Sequence, residues 1–193
     1  MKRLFPAQAT FIGAFVSDVP RVALPEVVFA GRSNVGKSSA INVIVGQQIA
    51  RTSRTPGRTQ SVNVIDLGTA RLIDLPGYGY AKVSKAMRED WKKLIGGYLS
   101  DRPEIKLVVA LVDARHPAQE LDRTLLAQLA ELGFPVLALA TKIDDLPRAR
   151  RSPTVAALAK ALGLPSDAVI PFSATEKIGV DEAREAISWA LKA

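Results

Sequence analysis

Residues 31–38 read GRSNVGKS, two glycines followed by a lysine and a serine. That order and spacing suits the binding of phosphate. Gly31 and Gly36 let backbone N–H groups approach and wrap phosphate oxygens. The Lys37 ammonium can reach the β- and γ-phosphates of a nucleotide, and the Ser38 hydroxyl can ligate Mg²⁺. The strand-like EVVFA precedes the run and the helix-like SSAINVIVG follows it. A helix N-terminus under the loop adds a partial positive charge. A chance glycine turn would lack that strand-to-helix context. The motif specifies phosphate without naming the nucleotide.

Four further elements bear on the same site. Asp74-Leu75-Pro76-Gly77 closes a second strand-like run. An acidic residue there can hold Mg²⁺ through water, and the Gly77 N–H can meet a γ-phosphate. Thr141-Lys142-Ile143-Asp144 follows the apolar PVLALA. The Asp144 carboxylate can accept two parallel hydrogen bonds from guanine, at its ring N–H and its exocyclic amine. Adenine has no such pair. Lys142 can lay its stem along the base. In isolation TKID would read as a solvated charge cluster; after the first two motifs it selects GTP over ATP. Ser173-Ala174-Thr175 follows the last strand-like run, where a backbone N–H can meet the guanine carbonyl. Thr59, within TPGRTQ, can complete a Mg²⁺ shell when a γ-phosphate is present and order its loop until hydrolysis releases it. On spacing alone, Thr52, Ser53, Thr55 and Ser61 compete with it.

The elements that must hold these residues alternate strand and helix. EVVFA, KLVVALVDA, FPVLALATK and AVIPFSA read as buried strands, and SVNVIDLG with TARLIDLPG as a hairpin turning at Gly68-Thr69. Helical spacing predicts helices over 38–46, stopped by Gly46, and over 85–99, 118–132, 153–162 and 180–191. The predicted inward stripes are Met87, Trp91, Leu94, Ile95 and Tyr98; Leu121, Leu125, Leu129 and Leu132; and Val180, Ala183, Ile187 and Leu191. Trp189 reads as packing. Pro56-Gly57 marks a loop in the arginine-rich stretch 47–60. Alternation of this kind predicts a mostly parallel sheet covered on both faces.

The chain of 193 residues has no cysteine, which excludes disulfides, cysteine zinc sites and thiol nucleophiles. The formal charge of +7 suggests a polyanionic partner. The first twenty residues are interrupted by Pro6, Gln8, Thr10 and Asp18, so they read as neither a leader nor a span. The single histidine, His116, lies in a loop beside Pro117 and receives no role.

LPEVVFAGRSNVGKSSAIN, ARTSRTPGRTQ, LIDLPGYGYAKVS, TKID and PFSAT together resemble the EngB (YihA/YsxC) family of GTP-binding proteins. The resemblance runs from about residue 10 to the end. It implies an α/β, Ras-like P-loop GTPase fold: six strands, mostly parallel with one antiparallel, and helices on both faces. Residues 1–22 would be an N-terminal extension packed on a single G domain, 23–193. It implies that Gly31, Arg32, Ser33, Asn34, Val35, Gly36, Lys37 and Ser38 hold phosphates. Gly57, Arg58, Thr59, Gln60 and Ser61 would form the first switch, which makes Thr59 the metal-binding hydroxyl. Asp74, Leu75, Pro76 and Gly77 would form the second. Thr141, Lys142, Ile143 and Asp144 would read guanine, supported by Phe172, Ser173 and Ala174. The implied metal ligands are Ser38, Thr59 and Asp74, and the catalytic group is Lys37, Thr59, Gly77 and Asn34. GTP and Mg²⁺ follow as substrate and cofactor. The precursor of the large ribosomal subunit and its rRNA follow as partners of a cytoplasmic, monomeric protein without stable membrane association, needed for normal cell division and septation.

Three positions depart from the family pattern. Asp145 follows TKID where lysine is frequent. Val62, Val64 and Ile65 stand where aromatics are frequent, which reads as repacking. Tyr78 follows D-x-x-G, where Ras-type enzymes place a glutamine that orients water. A phenol lacks that geometry, so slow intrinsic hydrolysis is expected. In related GTPases, an asparagine placed like Asn34 ligates K⁺ beside the phosphates, which makes K⁺ a candidate second cation here. Basic residues available to rRNA phosphates are Arg51, Arg54, Arg58, Lys82, Lys85, Lys92, Lys93, Arg148, Arg150 and Arg151. The rival readings are a metabolic P-loop kinase, which TKID and DLPG disfavour, a membrane-surface GTPase, and a cell-division scaffold without a ribosomal role.

Overall fold

A computed structural model describes residues 8–16, 18–50, 61–78, 96–100 and 102–192. Seven strands form one sheet: β1 (Thr10–Phe15), β2 (Glu26–Gly31), β3 (Val62–Asp66), β4 (Arg71–Asp74), β5 (Ile105–Asp113), β6 (Val136–Thr141) and β7 (Val169–Pro171). Their spatial order is β1-β3-β4-β2-β5-β6-β7. β4, β2, β5, β6 and β7 are joined by parallel pairings, while β3 is antiparallel to both of its neighbours. The sheet therefore has one reversed strand, as expected, but seven strands rather than six. The additional strand is β1, whose TFIGAF pairs along the free edge of β3 with a register shift between Phe11 and Gly13.

Alternation along the central strands sorts side chains between two cores. Val28 and Ala30 of β2 face α2 (Glu120–Glu131) and α3 (Arg148–Leu162), where Leu125, Leu129, Leu158 and Leu162 meet them in one cluster. Val27 and Phe29 face the other way. They share a cluster with Ile41 and Ile44 of α1 (Lys37–Val45) and Ala183 and Ile187 of α4 (Val180–Ala190). Burial on both faces explains why β2 and β5 are nearly continuous apolar runs.

Gly46 ends α1 in a left-handed conformation, as its position predicts. α3 begins at Arg148, five residues earlier than periodicity suggests. Pro153 lies inside it, at the cost of one backbone hydrogen bond, and reads from sequence as a boundary. Leu121 and Leu132 are exposed; Leu125, Leu126 and Leu129 form the buried face of α2. Trp189 is 74% exposed, so its reading as a packing residue fails. It lies two residues beyond the buried Ile187, roughly 200° around a helix of 3.6 residues per turn. Met87, Trp91, Leu94 and Ile95 lie outside the described residues, whereas Tyr98 is buried.

At the end of the sheet where β2 begins, the Tyr98 hydroxyl donates to Glu26 Oε2 at 2.6 Å. Arg102 Nη1 donates to Glu26 Oε1 at 3.3 Å, and its guanidinium sits 4.0 Å from the Tyr98 ring centroid. Arg102 also donates to the Val19 carbonyl, and Arg71 to that of Pro20. Both members of the ion pair are buried. Glu26→Ala would strand the Arg102 charge and should lower stability by about 3 kcal/mol or more, read as a lower urea midpoint. An unchanged midpoint would show that the pair contributes nothing.

Candidate nucleotide site

The C-terminal ends of the parallel strands carry the site. β2 stops at Gly31 and α1 starts at Lys37, leaving Arg32 to Gly36 as the intervening loop. Asn34 (φ 63°) and Gly36 (φ 97°) both adopt left-handed backbone. A side chain is strained there, and Gly36 avoids that cost. Val35 turns inward and is buried, which fixes the loop to the core. No side chain caps α1, and its first turn holds no acidic residue. Its leading N–H groups and dipole therefore face the loop, in the arrangement that attracts an anion.

The D-x-x-G turn is stitched onto this loop. Parallel pairing sets Asp74 beside Phe29, and antiparallel pairing sets it opposite Asn63. Lys37 Nζ donates to Asp74 Oδ1, and Asn63 Nδ2 donates to Oδ2 at 3.1 Å. Beyond Gly77, the Ser33 N–H donates to the Tyr78 carbonyl at 2.8 Å, and the Tyr78 N–H to the Gly31 carbonyl at 3.3 Å. A Cβ on Gly77 would lie 3.0 Å from Ser33 Cα and 3.1 Å from Ser33 N, so a side chain there would press the two backbones apart by a few tenths of an ångström. Among the described residues no cluster of three or more His, Asp or Glu can hold a metal. Mg²⁺ is generally held by few protein oxygens together with substrate phosphates. Ser38 and Asp74 are the oxygen donors of the right kind.

The Tyr78 phenol points away from this chemistry. It is buried and donates to Asp122 Oδ1 on α2 at 3.0 Å. Burial first, then the Asp122 charge, pushes the phenol well above its ordinary range. Burial also pushes the Asp122 carboxyl up, although its other oxygen accepts the Gln119 N–H at 3.1 Å.

The proposed base-reading corner is tied to the phosphate loop over a long sequence distance. The Thr141 hydroxyl lies 2.8 Å from the Val35 carbonyl, to which it can donate. Lys142, itself left-handed at φ 58°, donates through Nζ to the Asn34 carbonyl at 2.7 Å and to Asp113 Oδ2 at 2.9 Å. Its stem is thus drawn across from TKID to the loop. Burial opposes ionisation of Asp113, but hydrogen bonds from Arg115 and Lys142 outweigh it and hold the carboxyl well below the usual carboxylate range. Ile143 is buried and donates its N–H to the Phe172 carbonyl at 3.2 Å, which joins TKID to the loop after β7. Asp144 is half-buried, and its carboxylate has no partner among the described residues. Its acceptors are available to a base. Asp145 pairs with Arg115 at 3.2 Å, so the departure from lysine is answered by a neighbouring cation.

Phe172 and Ser173 are buried. The Ser173 hydroxyl accepts the Glu176 N–H at 2.9 Å, which shapes the loop; Ala174 is half-buried against the core and Thr175 is exposed. Gly57, Arg58, Thr59 and Gln60 lie outside the described residues; Ser61 is half-buried at the start of β3. Sequence reasoning missed Asn63, Asp113 and Asp122. Asn63 carried a signal, a polar residue within the strand-like VNVID. Asp113 and Asp122 carried no signal of their contacts with Lys142 and Tyr78, because those partners lie on other elements.

The family model described as "50S ribosome-binding GTPase" matches residues 26–142. The probable GTP-binding protein EngB of Idiomarina loihiensis is 45% identical over 189 residues, covering 92% of each chain. The EngB of Bordetella pertussis is 44% identical over 193 residues, covering 95% of this chain and 93% of its own. The crystal structure of a probable GTP-binding protein engB superposes with a TM-score of 0.76 at 25% identity, over 86% of this chain and 98% of that one. Era from Aquifex aeolicus bound to GDP·AlF4⁻ shares the fold at a TM-score of 0.67 and 24% identity, over 88% of this chain and 56% of that one. With likeness of this degree along nearly its whole length, the chain belongs to the EngB family of P-loop GTPases.

Proposed function

We propose that this GTPase is a Mg²⁺-dependent switch acting in assembly of the large ribosomal subunit, with normal septation and division depending on that step. The observation that carries the switch reading is the attachment of the D-x-x-G turn to the phosphate loop through Ser33, Gly31 and Tyr78. A γ-phosphate held by Lys37 and the Gly77 N–H would pull on residues already bonded to the loop. In this reading Gly31 to Ser38 hold phosphates, Asp144 and Lys142 select guanine, and Ser38, Thr59 and Asp74 supply oxygens to Mg²⁺. Bound Mg²⁺ would neutralise charge on the phosphate oxygens. Thr59 would order the 57–61 segment only when the γ-phosphate is present.

The ribosomal part is supported by the family model's description and by the +7 charge. Arg148 and Arg150 are exposed and free to meet phosphates, while Arg151 is engaged with the carbonyls of Leu146 and Asp144. Among the described residues no helix is long and apolar enough to cross a membrane. A cytoplasmic monomer is the form proposed. Sedimentation with ribosomal subunits tests this: GTP-loaded protein should co-sediment with the large subunit more than GDP-loaded protein. Salt should weaken the association steeply. Equal association in both nucleotide states would defeat the reading.

Hydrolysis by the isolated protein is expected to be slow, because the Tyr78 phenol is bonded to Asp122 and cannot orient a water. The Asn34 side chain is exposed, and no partner for its amide exists among the described residues. It is therefore available as a K⁺ ligand beside the phosphates, where a cation would stabilise transition-state charge. K⁺ should raise the single-turnover rate above that in Na⁺; identical rates would remove Asn34 from catalysis.

A further inference from the structure

Leu75, Pro76 and Tyr78 are buried, yet Gly77 among them is exposed. Its N–H makes no hydrogen bond among the described residues. The chain is anchored on both sides of this open donor. Upstream, the Leu75 N–H donates to the Phe29 carbonyl at 3.0 Å. Downstream, Tyr78 is held through its backbone by Gly31 and Ser33 and through its hydroxyl by Asp122.

The two backbone bonds of Tyr78 run to one neighbouring stretch of chain, as in a parallel strand pair. By themselves they form a hinge, and rotation about it would swing the Gly77 N–H. The phenol supplies a third attachment, on a different element and away from that hinge. Asp122 is itself fixed in the first turn of α2, where its Oδ2 accepts the Gln119 N–H and closes a capping box. Leu125, Leu126 and Leu129 hold α2 in the same core cluster as the Tyr78 ring. Phenylalanine would fill the same volume, and one internal hydrogen bond adds little net stability. What the hydroxyl adds is direction.

We propose that Tyr78 and Asp122 are positioning residues whose hydrogen bond holds the exposed Gly77 N–H ready for the γ-phosphate of a bound nucleotide. A donor fixed in advance costs no rearrangement when the charge arrives. This role rests on the switch reading given above.

The share of binding that belongs to the γ-phosphate tests it. That share is the ratio of affinities for a non-hydrolysable GTP analogue and for GDP, each measured on the full chain with Mg²⁺ by displacement of a fluorescent GDP. Single-turnover hydrolysis is measured beside it. Tyr78→Phe removes one oxygen and keeps the ring. It should lower the ratio about threefold and the hydrolysis rate about fivefold, less than outright removal of a donor, because the Gly77 N–H is loosened and not lost. GDP affinity should stay within about twofold of the original, since an interaction confined to the γ-phosphate leaves GDP binding alone. Asp122→Ala should lower the ratio too, and the double variant should lose no more than Asp122→Ala, because one bond can be removed only once. If Asp122→Ala does not fold, Tyr78→Phe carries the test. An unchanged ratio in folded Tyr78→Phe would overturn the role, whether both affinities hold or fall together, and so would additive losses in the double variant. Gly77→Ala separates this role from the reading beneath it, because its Cβ presses on Ser33 and displaces the turn. A ratio lowered by Gly77→Ala but not by Tyr78→Phe would overturn the positioning role alone. A ratio that neither substitution changes would overturn the switch reading and this role with it.

Discussion

Lys37→Ala should reduce GTP hydrolysis by about 10²–10³-fold, the range found when one preorganised electrostatic donor is removed from a site. The effect has two sources, which differ in sign of nucleotide dependence. With nucleotide bound, the β- and γ-phosphates lose a cation, and neither affinity nor rate can recover. Without nucleotide, the buried Asp74 loses its ion partner and keeps, among the described residues, the Asn63 amide. A buried charge stripped of its partner is costly, on the order of 3 kcal/mol. The ligand-free variant should therefore melt lower than the unsubstituted protein. Mg²⁺-GDP, by offering Asp74 a new cation, should narrow the gap. Thermal melts with and without Mg²⁺-GDP, run beside single-turnover hydrolysis, measure both. Unimpaired hydrolysis in this variant would remove Lys37 from the catalytic group.

Asp144→Asn should lower affinity for GTP by about 10³-fold. Two charge-assisted hydrogen bonds to the guanine ring N–H and amine are lost, each in the range of 1.5–3 kcal/mol. The amide that replaces the carboxylate offers one donor and one acceptor. Xanthine presents the matching pair, a carbonyl where guanine has its amine and a ring N–H beside it. Xanthosine triphosphate should accordingly bind the variant better than GTP does. The fold should not change, because the Asp144 carboxylate holds no partner among the described residues. Competitive displacement of a fluorescent guanine nucleotide gives both affinities. Full retention of guanine preference would transfer base reading to another group.

Much of this site was legible because it is encoded locally. GRSNVGKS between a strand and a helix requires glycine where the backbone is left-handed, and Gly36 is left-handed. EVVFAG and KLVVALVD are continuous apolar runs because both faces of the strand are covered, so their place in the interior could be read directly. TFIGAF could not be read this way. β1 lies at the sheet edge, where three of its six residues in succession are exposed, and exposure removes the apolar alternation that marks a strand. The exposed Trp189 and Leu132 failed for a related reason. Helical spacing identifies a stripe but not its limits, which depend on what packs against it.

The sequence by itself set the expected ligand chemistry: phosphate from GRSNVGKS, guanine from TKID, and a divalent cation from Ser38 with Asp74. The first two rest on residue types at short fixed spacings, and short spacings fix local backbone geometry. Only the tertiary structure decided how the pieces are joined. Lys142 reaches the Asn34 carbonyl across 108 residues of chain, and Tyr78 reaches Asp122 across 44. Those contacts arise because parallel strands end side by side at one edge of the sheet. Strand order and register bring them together, and no spacing in the chain records either.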